Sequence, residues 1–437
     1  MGGVNLFNYQ QRLFERICST EELQLAFKAV KRNGGAPGVD GVSIDEFEEN
    51  LLQELSLLKK ELESWTYESS PVRRVEIPKS GGAGVRLLGI PTTRDRVLYA
   101  SIKAVIEPLF EPLFSESSYG FRPKRNQRQA VEAAQKIVQS GKEYTVDLDL
   151  SNFFDCISHD RLIHRLGLTI TDKRVLRLIG ITLRSGIMKD GMVSASMKGS
   201  VQGSPLSPLL SNVVLDELDK ELERRGLEFC RFADDCNIFT KSEKAAERVM
   251  QSITKFIEKR LKLVVNRDKS KVAKSQFVKF LGMTIIAGTL IISQKSIANA
   301  MDKVKELTPR GTSDTIESTI DKINSWYVGW SSYYKMTQYP QQLLKIEAHL
   351  RRRLRSRIVS QQKRRRHLCE HLVKRGIPKG QAAKTAFSNR GRWALSHTSV
   401  VAKAYPNNWF IQTLGLKVRS DAKLPHWFSL KTWVKWT

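Results

Sequence analysis

The chain has few cysteines and histidines, a deficit of acidic residues, and no long apolar run. Its five cysteines show no paired spacing: Cys18, Cys156, Cys230, Cys236 and Cys369. This scatter argues against a zinc site and a disulfide framework, and it indicates a reducing compartment. No segment approaches the ~20 apolar residues that a membrane-spanning helix needs. The first residues resemble neither a signal peptide nor a myristoylation signal, so we predict a cytoplasmic protein without a membrane partner.

Acidic residues are outnumbered, with 45 Asp and Glu against 72 Lys and Arg and a formal charge of +27. So basic a surface favours a polyanionic partner, and nucleic acid is the usual one. Residues 341–437 carry 22 Lys and Arg against three acids, and therefore hold most of the excess. This asymmetry predicts a mixed catalytic body joined to a basic nucleic-acid-binding region.

The apolar patterns predict a mixed α+β core followed by helices. Residues 72–91 read as a hairpin of two strands, and 144–150 alternate with period two so that Asp147 and Asp149 share a face. Further strands are expected near 261–265 and 277–292. From Ser293 the pattern becomes helical, with a helix start expected at Asp314 and an apolar stripe from Ile316 to Trp330.

Two adjacent acids, Asp234 and Asp235, lie at the tip of an apolar hairpin-like stretch. Carboxylates so close together repel each other, and Mg²⁺ would relieve that repulsion because it prefers carboxylate oxygens. A two-metal phosphoryl-transfer site also needs an acid from a neighbouring strand, which Asp147 or Asp149 supplies. The alternative is an acidic surface turn, because Asp is a common turn residue.

Other residues suit a nucleotide. Lys79 and Arg86 flank the turn of the predicted hairpin, where a point charge and a bidentate group would bind a triphosphate; an ordinary basic hairpin is the alternative. Gln202 precedes a glycine that permits close approach of a nucleotide or template. Phe154 could lie under the incoming sugar, and its alternative is a core phenylalanine.

An ordered series of motifs resembles the successive blocks of reverse transcriptases. The series consists of Leu148-Asp-Leu-Ser-Asn-Phe-Phe-Asp155, Gln202-Gly-Ser-Pro-Leu-Ser-Pro208, Phe232-Ala-Asp-Asp235, Val265-Asn-Arg-Asp-Lys269 and Phe280-Leu-Gly282. Three more segments resemble the group II intron-encoded reverse transcriptase/maturases: Gly35-Ala-Pro-Gly-Val-Asp-Gly41, Ile77-Pro-Lys79 with Arg86-Leu-Leu-Gly-Ile-Pro91, and Tyr327-Val-Gly-Trp330. The resemblance covers residues ~10 to ~370 well and the tail loosely.

The resemblance implies a right-hand polymerase with fingers, a palm built on an antiparallel sheet, and a helical thumb, plus a small basic DNA-binding region. The implied divisions are 1–100 for the N-terminal extension and fingers, 101–292 for the palm with part of the fingers, 293–380 for the thumb or maturase domain, and 381–437 for the DNA-binding region. It makes Asp149, rather than Asp147, a catalytic metal ligand with Asp234 and Asp235, and Leu150 a further metal-binding position. The implied cofactor is a pair of Mg²⁺ ions, for which Mn²⁺ could substitute.

The remaining implied roles concern the nucleotide and the primer. Lys79, Arg86, Phe154, Gln202 and Lys269 would contact the nucleotide, and Phe280, Leu281 and Gly282 would form the primer grip. Two departures from the family pattern are Phe232, where a tyrosine is usual, and Val201, where a proline is frequent. Loss of the tyrosine hydroxyl removes no metal ligand, so we expect activity to survive.

The implied partners are the protein's own group II intron RNA, an RNA template with a DNA primer, target DNA and dNTPs. We expect a bacterial group IIC-like protein without an endonuclease domain, since the histidines form no His-Asn-His pattern and no cysteine pair lies near the C-terminus. The predicted nucleic-acid contacts are Arg351, Arg352, Arg353, Arg355, Arg357, Lys363, Arg364, Arg365 and Arg366, with RNA on 341–380 and DNA on 381–437. A solvated charged face is the alternative for these runs.

The predicted function is RNA-directed DNA synthesis combined with assistance to splicing and mobility of the intron. Two alternatives remain at this point. One is a maturase that acts only as an RNA-binding splicing factor, which would have no physical need for three metal-binding acids. The other is a domesticated reverse transcriptase in repair or defence.

Overall fold

The computed structural model describes residues 12–78, 85–189, 192–194, 198–309 and 311–419. The chain divides into two compact units, Met1–Phe280 and Leu281–Thr437. Each unit has its own buried apolar cluster. The mixed α+β class predicted from the sequence is confirmed.

The first unit begins with helices, continues with a hairpin and then alternates helices with short strands. Its helices are α1 (Leu13–Ile17), α2 (Thr20–Asn33), α3 (Ile44–Glu49), α4 (Leu51–Ser64), α5 (Thr93–Phe110), α6 (Gln127–Gln139), α7 (Phe153–Cys156), α8 (His159–Gly167), α9 (Lys173–Leu183), α10 (Ser207–Arg224) and α11 (Glu243–Phe256). Its strands are β1 (Val72–Pro78), β2 (Val85–Ile90), β3 (Tyr144–Leu148), β4 (Ile187–Lys189), β5 (Met192–Ser194), β6 (Glu228–Phe232), β7 (Asp235–Thr240) and β8 (Lys271–Lys274).

Several of these helices begin where the sequence provides a cap. The Asn126 side chain accepts a hydrogen bond from the N–H of Gln129, whose own side chain accepts one from the N–H of Asn126. Ser43 and Glu46 form the same reciprocal box at the start of α3. Each box satisfies two backbone donors that the first helical turn leaves unpaired.

The strands of the first unit form two four-stranded sheets. One sheet has the order β2-β1-β4-β5, and within it β1 and β2 are antiparallel, which confirms the predicted hairpin. The other has the order β6-β7-β3-β8 with every neighbouring pair antiparallel. Val146 and Ile238 lie opposite each other and are fully buried, so one face of this second sheet belongs to the core.

The structure corrects two local predictions. The strand expected at 261–265 is absent from the described residues; the chain there leaves a π-helical turn, Ile257–Leu261, and makes a single bridge at Val265. The strand that completes the sheet is instead β8. The helix expected to start at Asp314 is capped by Thr315, whose hydroxyl accepts from the N–H of Ser318.

The second unit is a two-stranded hairpin followed by helices. The hairpin pairs β9 (Met283–Ile286) with β10 (Thr289–Ile292). The helices are α12 (Gln294–Leu307), α13 (Ile316–Tyr334), α14 (Gln341–Gln361), α15 (Arg365–Lys374), α16 (Lys379–Ala386), α17 (Arg392–Leu395) and α18 (Ser399–Ala404). The stripe predicted on α13 faces the apolar cluster of this unit, with Ile320, Ile323 and Tyr327 buried in it.

The hairpin β9–β10 belongs to the helical unit because glutamine side chains complete its open edge. Gln338 accepts from the N–H of Leu290 at 2.9 Å, and Gln342 accepts from the N–H of Ile292 at 2.8 Å. The units therefore divide before the hairpin, whereas the sequence predicted a boundary after residue 292. The four named divisions of the chain stay predictions.

Within the part of the chain that the structure describes, no helix has both the length and the apolarity needed to cross a bilayer.

Candidate active site

The antiparallel register of β3 and β7 brings three acids to one face of the sheet β6-β7-β3-β8, which we call the main sheet. The ladder ends at the pair Leu148 and Cys236. One step beyond that pair, Asp149 stands opposite Asp235. Because side chains alternate between faces with period two, Asp147 points to the same side as these two residues. The structure thus gives Asp147 and Asp149 the common face that the sequence predicted.

The fourth acid, Asp234, lies in the turn that joins β6 to β7. The preceding residue, Ala233, adopts a left-handed conformation with φ of 58°. Gly120 packs directly against this turn, and a Cβ atom on it would lie 2.2 Å from the backbone nitrogen of Ala233. Asp234 and Asp235 are both only partly exposed. The pair therefore does not form the solvent-exposed turn that was the alternative.

The clustered carboxylates perturb one another. Burial and the nearby carboxylates of Asp147, Asp234 and Asp149 raise the pKa of Asp235 to about 8, against a weaker opposing effect of Lys279. Burial also raises the pKa of Asp147 to about 6, although Lys271 opposes that rise. These shifts have the sign expected for buried carboxylates that lie close together.

The donor set fits a hard divalent cation. The available groups are carboxylate oxygens, which Mg²⁺ and Mn²⁺ prefer as ligands. Among the described residues, no three acidic, histidine or cysteine side chains already converge as a ligand cluster. Lys269 Nζ lies 3.7 Å from Asp149 Oδ1 and compensates that carboxylate internally.

The segment before β8 holds the backbone of Asp149. The N–H of Asn266 donates to the Asp149 carbonyl at 2.8 Å, and the N–H of Asp149 donates to Ser270 Oγ at 3.0 Å. Leu150 is buried and forms an isolated bridge with Val265. The hydrogen bonds of that bridge run through the neighbours of Leu150, so they do not use its carbonyl oxygen. That oxygen is the one atom with which a leucine can bind a metal.

A buried network of hydrogen bonds lies behind the turn that holds Asp234. This network was not predicted from the sequence. Arg231 and Asp219 are fully buried and form a bidentate ion pair, at 2.7 Å from Nε and 2.5 Å from Nη2. Arg231 Nη1 also donates to the carbonyl of Ala233 at 2.9 Å and to Asn212 Oδ1 at 3.0 Å. Asn212 in turn donates to the carbonyl of Gly120 at 2.9 Å. Ala233 in the turn and Gly120, which packs against the turn, are therefore both linked to the guanidinium group of Arg231, Gly120 through Asn212.

A signal for this network does exist in the sequence. Arg231 lies between the apolar residues Cys230 and Phe232 on a strand, and Asp219 follows the apolar residue Leu218 on a helix. Buried charges are rare unless they are paired, so two such residues in adjacent buried elements indicate a partner for each other. What the sequence does not give is their contact across two elements.

The glycine-bearing loop after Ser200 packs between the hairpin and α7. The N–H of Gly89 on β2 donates to the carbonyl of Gln202 at 2.8 Å. Gly203 has φ of +121°, and a Cβ on it would lie 2.5 Å from the carbonyl oxygen of Gly89. The N–H of Ser200 donates to the carbonyl of Phe154 at 2.7 Å. The structure thus joins the regions of Gln202 and Phe154 to the predicted triphosphate-binding hairpin.

The predicted nucleotide contacts are described unevenly. Lys79 lies outside the described residues, and Arg86 is placed on β2 without a described side chain. Phe154 is partly buried and packs edge-on against Phe153 with ring centroids 5.2 Å apart. Its position leaves both readings open, a sugar contact and a core residue. These roles, and that of Gln202, stay predictions.

The predicted primer grip spans the division between the two units. Phe280, which is 5% exposed, ends the first unit. Leu281 and Gly282 open the second unit and both have positive φ values, 48° and 83°. Tyr333 donates its hydroxyl to the carbonyl of Leu281 at 2.6 Å. The backbone of this turn is therefore held within the second unit, and its contact with a primer stays a prediction.

Two arginines of the predicted nucleic-acid-binding run on α14 are buried. Arg357 is 1% exposed and donates to the hydroxyl of Thr319 and the carbonyl of Asp314. Arg351 is 9% exposed and lies 3.7 Å from the carboxylate of Glu347, which is itself fully buried. These two side chains stabilise the second unit and do not present a charge to solvent.

Two more arginines of this run are occupied by structural contacts. Arg353 donates to the carbonyl of Thr308 at 2.7 Å, and Arg355 donates to the carbonyl of Tyr405 at 2.9 Å. Arg352 is exposed. Residues two apart on a helix do not share a face, so the arginines of this run cannot all face one partner. The run is therefore largely a packing feature. Its predicted role in nucleic-acid binding is concentrated on Arg352.

The second basic run and the tail tryptophans differ in exposure. Lys363, Arg364, Arg365 and Arg366 are all exposed. Trp393 and Trp409 are partly buried, and Trp409 lies under the guanidinium of Arg375, with 4.1 Å between the guanidinium carbon and the ring centroid. The remaining tail tryptophans, at 427, 433 and 436, lie outside the described residues.

Comparison with known proteins matches both units to family models. Residues 77–285 match the family described as "Reverse transcriptase (RNA-dependent DNA polymerase)". Residues 297–375 match "Group II intron, maturase-specific domain". Protein YkfC of Escherichia coli (strain K12) is 33% identical over 63% of this chain and 83% of its own length. Polymerases of the first family use divalent metal ions.

Longer relatives share only part of their length with this chain. The group II intron-encoded protein LtrA of Lactococcus lactis subsp. cremoris is 30% identical over 60% of this chain, which spans 42% of LtrA. A solved "Partial Cas6-RT-Cas1--Cas2 complex" contains a chain that is 24% identical over 58% of this chain and 43% of its own length, with a TM-score of 0.37, and at that score the similarity carries no argument. From the two matched family models and the relatives, the chain belongs to the group II intron-encoded reverse transcriptases, with a reverse transcriptase domain followed by a maturase-specific domain.

Proposed function

We propose that this reverse transcriptase copies RNA into DNA at the acidic face of the main sheet. The primer 3′-hydroxyl attacks the α-phosphate of a dNTP paired with the RNA template, and pyrophosphate leaves. The observation that carries the proposal is the β3–β7 register, which stands Asp149 opposite Asp235 beside the turn that holds Asp234. Three carboxylates on two neighbouring elements are the donor set that two-metal nucleotidyl transfer requires.

Asp149, Asp234, Asp235 and the carbonyl of Leu150 would hold two Mg²⁺ ions, for which Mn²⁺ could substitute. When bound, these ions would activate the attacking hydroxyl and stabilise the leaving oxygens. Lys269, now 3.7 Å from Asp149, would exchange that carboxylate for the leaving pyrophosphate. Its side chain is 63% exposed, so the exchange costs little.

We infer further that the protein binds its own group II intron RNA and assists splicing and mobility. Its partners would be that RNA, an RNA template with a DNA primer, and target DNA. The match of residues 297–375 to the maturase-specific domain supports this inference, as does the strong excess of basic residues after residue 341. A splicing-only role is less well supported, because it gives no reason to cluster four acids at the cost of a raised pKa at Asp235. A folded intron RNA encoded around the gene would favour intron mobility over domestication.

Primer extension with and without Mg²⁺ tests the proposal. Purified protein should extend a DNA primer on an RNA template, and Asp234→Ala or Asp235→Ala should abolish extension while intron RNA binding stays within about twofold, since neither acid is proposed to bind RNA. Asp302→Ala is the matched control, because this acid lies on the second unit with its side chain 69% exposed. Extension at the wild-type rate by the Asp234 and Asp235 variants would refute the catalytic assignment.

A further inference from the structure

Two basic segments of the second unit are fastened to each other by reciprocal arginine contacts. Arg365 Nη1 donates to the carbonyls of Phe387, at 3.0 Å, and Ser388, at 2.5 Å. In the opposite direction, Arg392 Nη2 donates to the carbonyl of Lys363 at 2.9 Å. The start of α15 and the turn after α16 thus form one continuous surface with a fixed backbone.

This surface presents cations around an exposed aromatic ring. Phe387 is 58% exposed, and Lys363, Arg364 and Arg390 are also exposed. The side chain of Arg366 is 84% exposed. We call these five residues the stapled surface. An acid, Glu370, lies beside it and accepts from Arg366 Nε at 3.1 Å.

Folding alone does not explain these residue types. An arginine in the first turn of a helix opposes the helix dipole, so the charge of Arg366 does not stabilise the start of α15. The ion pair of Arg366 with Glu370 is exposed on both sides and contributes little. The exposed area of the Phe387 ring contributes nothing to the stability of the fold. A partner with dispersed negative charge and a flat apolar face would complement all of these features.

We propose that the stapled surface binds unpaired RNA, with a base stacked on Phe387 and phosphates on Lys363, Arg364, Arg366 and Arg390. Bases that are splayed out of a helix stack on aromatic side chains, whereas paired bases do not offer that face. RNA is the expected polymer because residues 363–366 lie inside the region matched to the maturase-specific domain. The inference rests on the proposed function, and it places Phe387 and Arg390 on the RNA side of the boundary predicted after residue 380.

Binding of labelled RNA by the full chain tests this inference without polymerisation. The probes are a single-stranded RNA of mixed sequence, a duplex of that RNA, and single-stranded DNA of the same sequence, each followed by fluorescence anisotropy at several salt concentrations without dNTPs. Phe387→Ala and Phe387→Leu should each weaken single-stranded RNA binding about tenfold, while Phe387→Trp keeps it. Val373→Ala on α15 is the matched control, because Val373 is exposed too and lacks a ring.

The cations give a second, independent readout. The double change Arg364→Gln with Arg366→Gln should reduce the slope of log affinity against log salt by about 1.4, since each phosphate contact on a single strand contributes ~0.7. Phe387→Leu should leave that slope unchanged. Arg128→Gln, which removes an exposed cation of the first unit, serves as the charge control. Thermal melting of each variant verifies folding.

Three outcomes would overturn the inference. The first is that Phe387→Leu binds single-stranded RNA as tightly as Val373→Ala does. The others are that Phe387→Leu loses as much affinity for duplex RNA as for single-stranded RNA, or more affinity for DNA than for RNA. The proposed function fails separately, by absence of primer extension in the wild-type chain. These binding measurements do not depend on that reaction, so the two failures are distinguishable.

Discussion

The conservative change Asp219→Asn should impair catalysis although Asp219 lies behind the acidic turn and out of reach of substrate. Asp219 forms two hydrogen bonds to the guanidinium of Arg231, and both side chains are fully buried. The same guanidinium donates to the carbonyl of Ala233 in the turn that carries Asp234. Loss of the carboxylate charge therefore changes both the stability of the first unit and the position of the turn.

The expected magnitude follows from the burial of the pair. Removing one member of a buried ion pair costs ~3–5 kcal/mol, because the remaining charge is left uncompensated. For a unit of this size, about 1 kcal/mol corresponds to ~2–4 °C, so the melting temperature should fall by about 6–20 °C. A displacement of Asp234 by about 1 Å would lower kcat by roughly 10²-fold. Because this loss is geometric, kcat should fall more than the KM for dNTP rises.

Primer extension at a temperature where the variant remains folded measures this effect. Asp216→Asn is the matched control, since Asp216 lies one turn earlier on α10 and pairs with Arg165 at 3.1 Å. It should cost less stability than Asp219→Asn and keep kcat, because Asp216 makes one hydrogen bond to its arginine where Asp219 makes two.

A double variant separates stability from positioning. Arg231→Met with Asp219→Leu removes both charges and should recover most of the lost stability. Its kcat should stay low, because the carbonyl of Ala233 still lacks its donor. Full kcat in Asp219→Asn, or in the double variant, would refute the role assigned to the network.

Two further predictions concern the basic run and pH. Arg357→Gln should lower the free energy of unfolding of the second unit by about 2–4 kcal/mol without changing the salt slope of RNA binding. Arg352→Gln should lower that slope by about 0.7 without changing thermal stability. If instead Arg357→Gln changed the salt slope and Arg352→Gln changed the stability, the buried arginine would have to be assigned to the RNA-binding surface. In EDTA, stability should decline from about pH 4 to pH 8 and level off above it, because the folded-state pKa of Asp235 is raised to about 8 while an unfolded Asp titrates near ~3.9. Melting curves from pH 5 to 8.5 should show this decline in the wild type, less of it in Asp235→Asn, and less of it with Mg²⁺ present; an equal decline in Asp235→Asn would exclude Asp235 as its source.

The features that the sequence could predict are those with a strong local signal. The alternation of residues 144–150 predicted β3 and the shared face of Asp147 and Asp149, because period two is a property of the strand itself. The paired strands around Ser80 and the apolar stripe of α13 have equally local patterns. The sequence also predicted that the two acids at 234 and 235 lie at the tip of a hairpin, and in the structure Asp234 lies in the turn and Asp235 begins β7.

The features that the sequence did not predict depend on contacts between residues distant in the chain. The strands β4 and β5 have three residues each, too few for a periodic signal, and β4 is defined by parallel pairing with Val72 and Arg73. The π-helical turn at Ile257–Leu261 displaced the strand expected after it. The charge of the α14 arginines predicts an exposed surface, whereas their burial follows from contacts with Thr308, Thr319 and Tyr405.

Two lysines, Lys271 on β8 and Lys269 just before it, supply a physical reason to favour Asp149 over Asp147 as the metal ligand. Lys271 lies opposite Asp147 within the ladder and opposes the rise of its pKa, and its ammonium is held by a hydrogen bond to the carbonyl of Phe277 at 3.0 Å. Lys269 lies beyond the ladder, and its exposed side chain reaches Asp149 at 3.7 Å. An exposed ion pair is readily exchanged, whereas a partner in the ladder is held by the backbone of both strands. Asp149 is therefore the carboxylate that can change partners, and it is also the one that stands opposite Asp235.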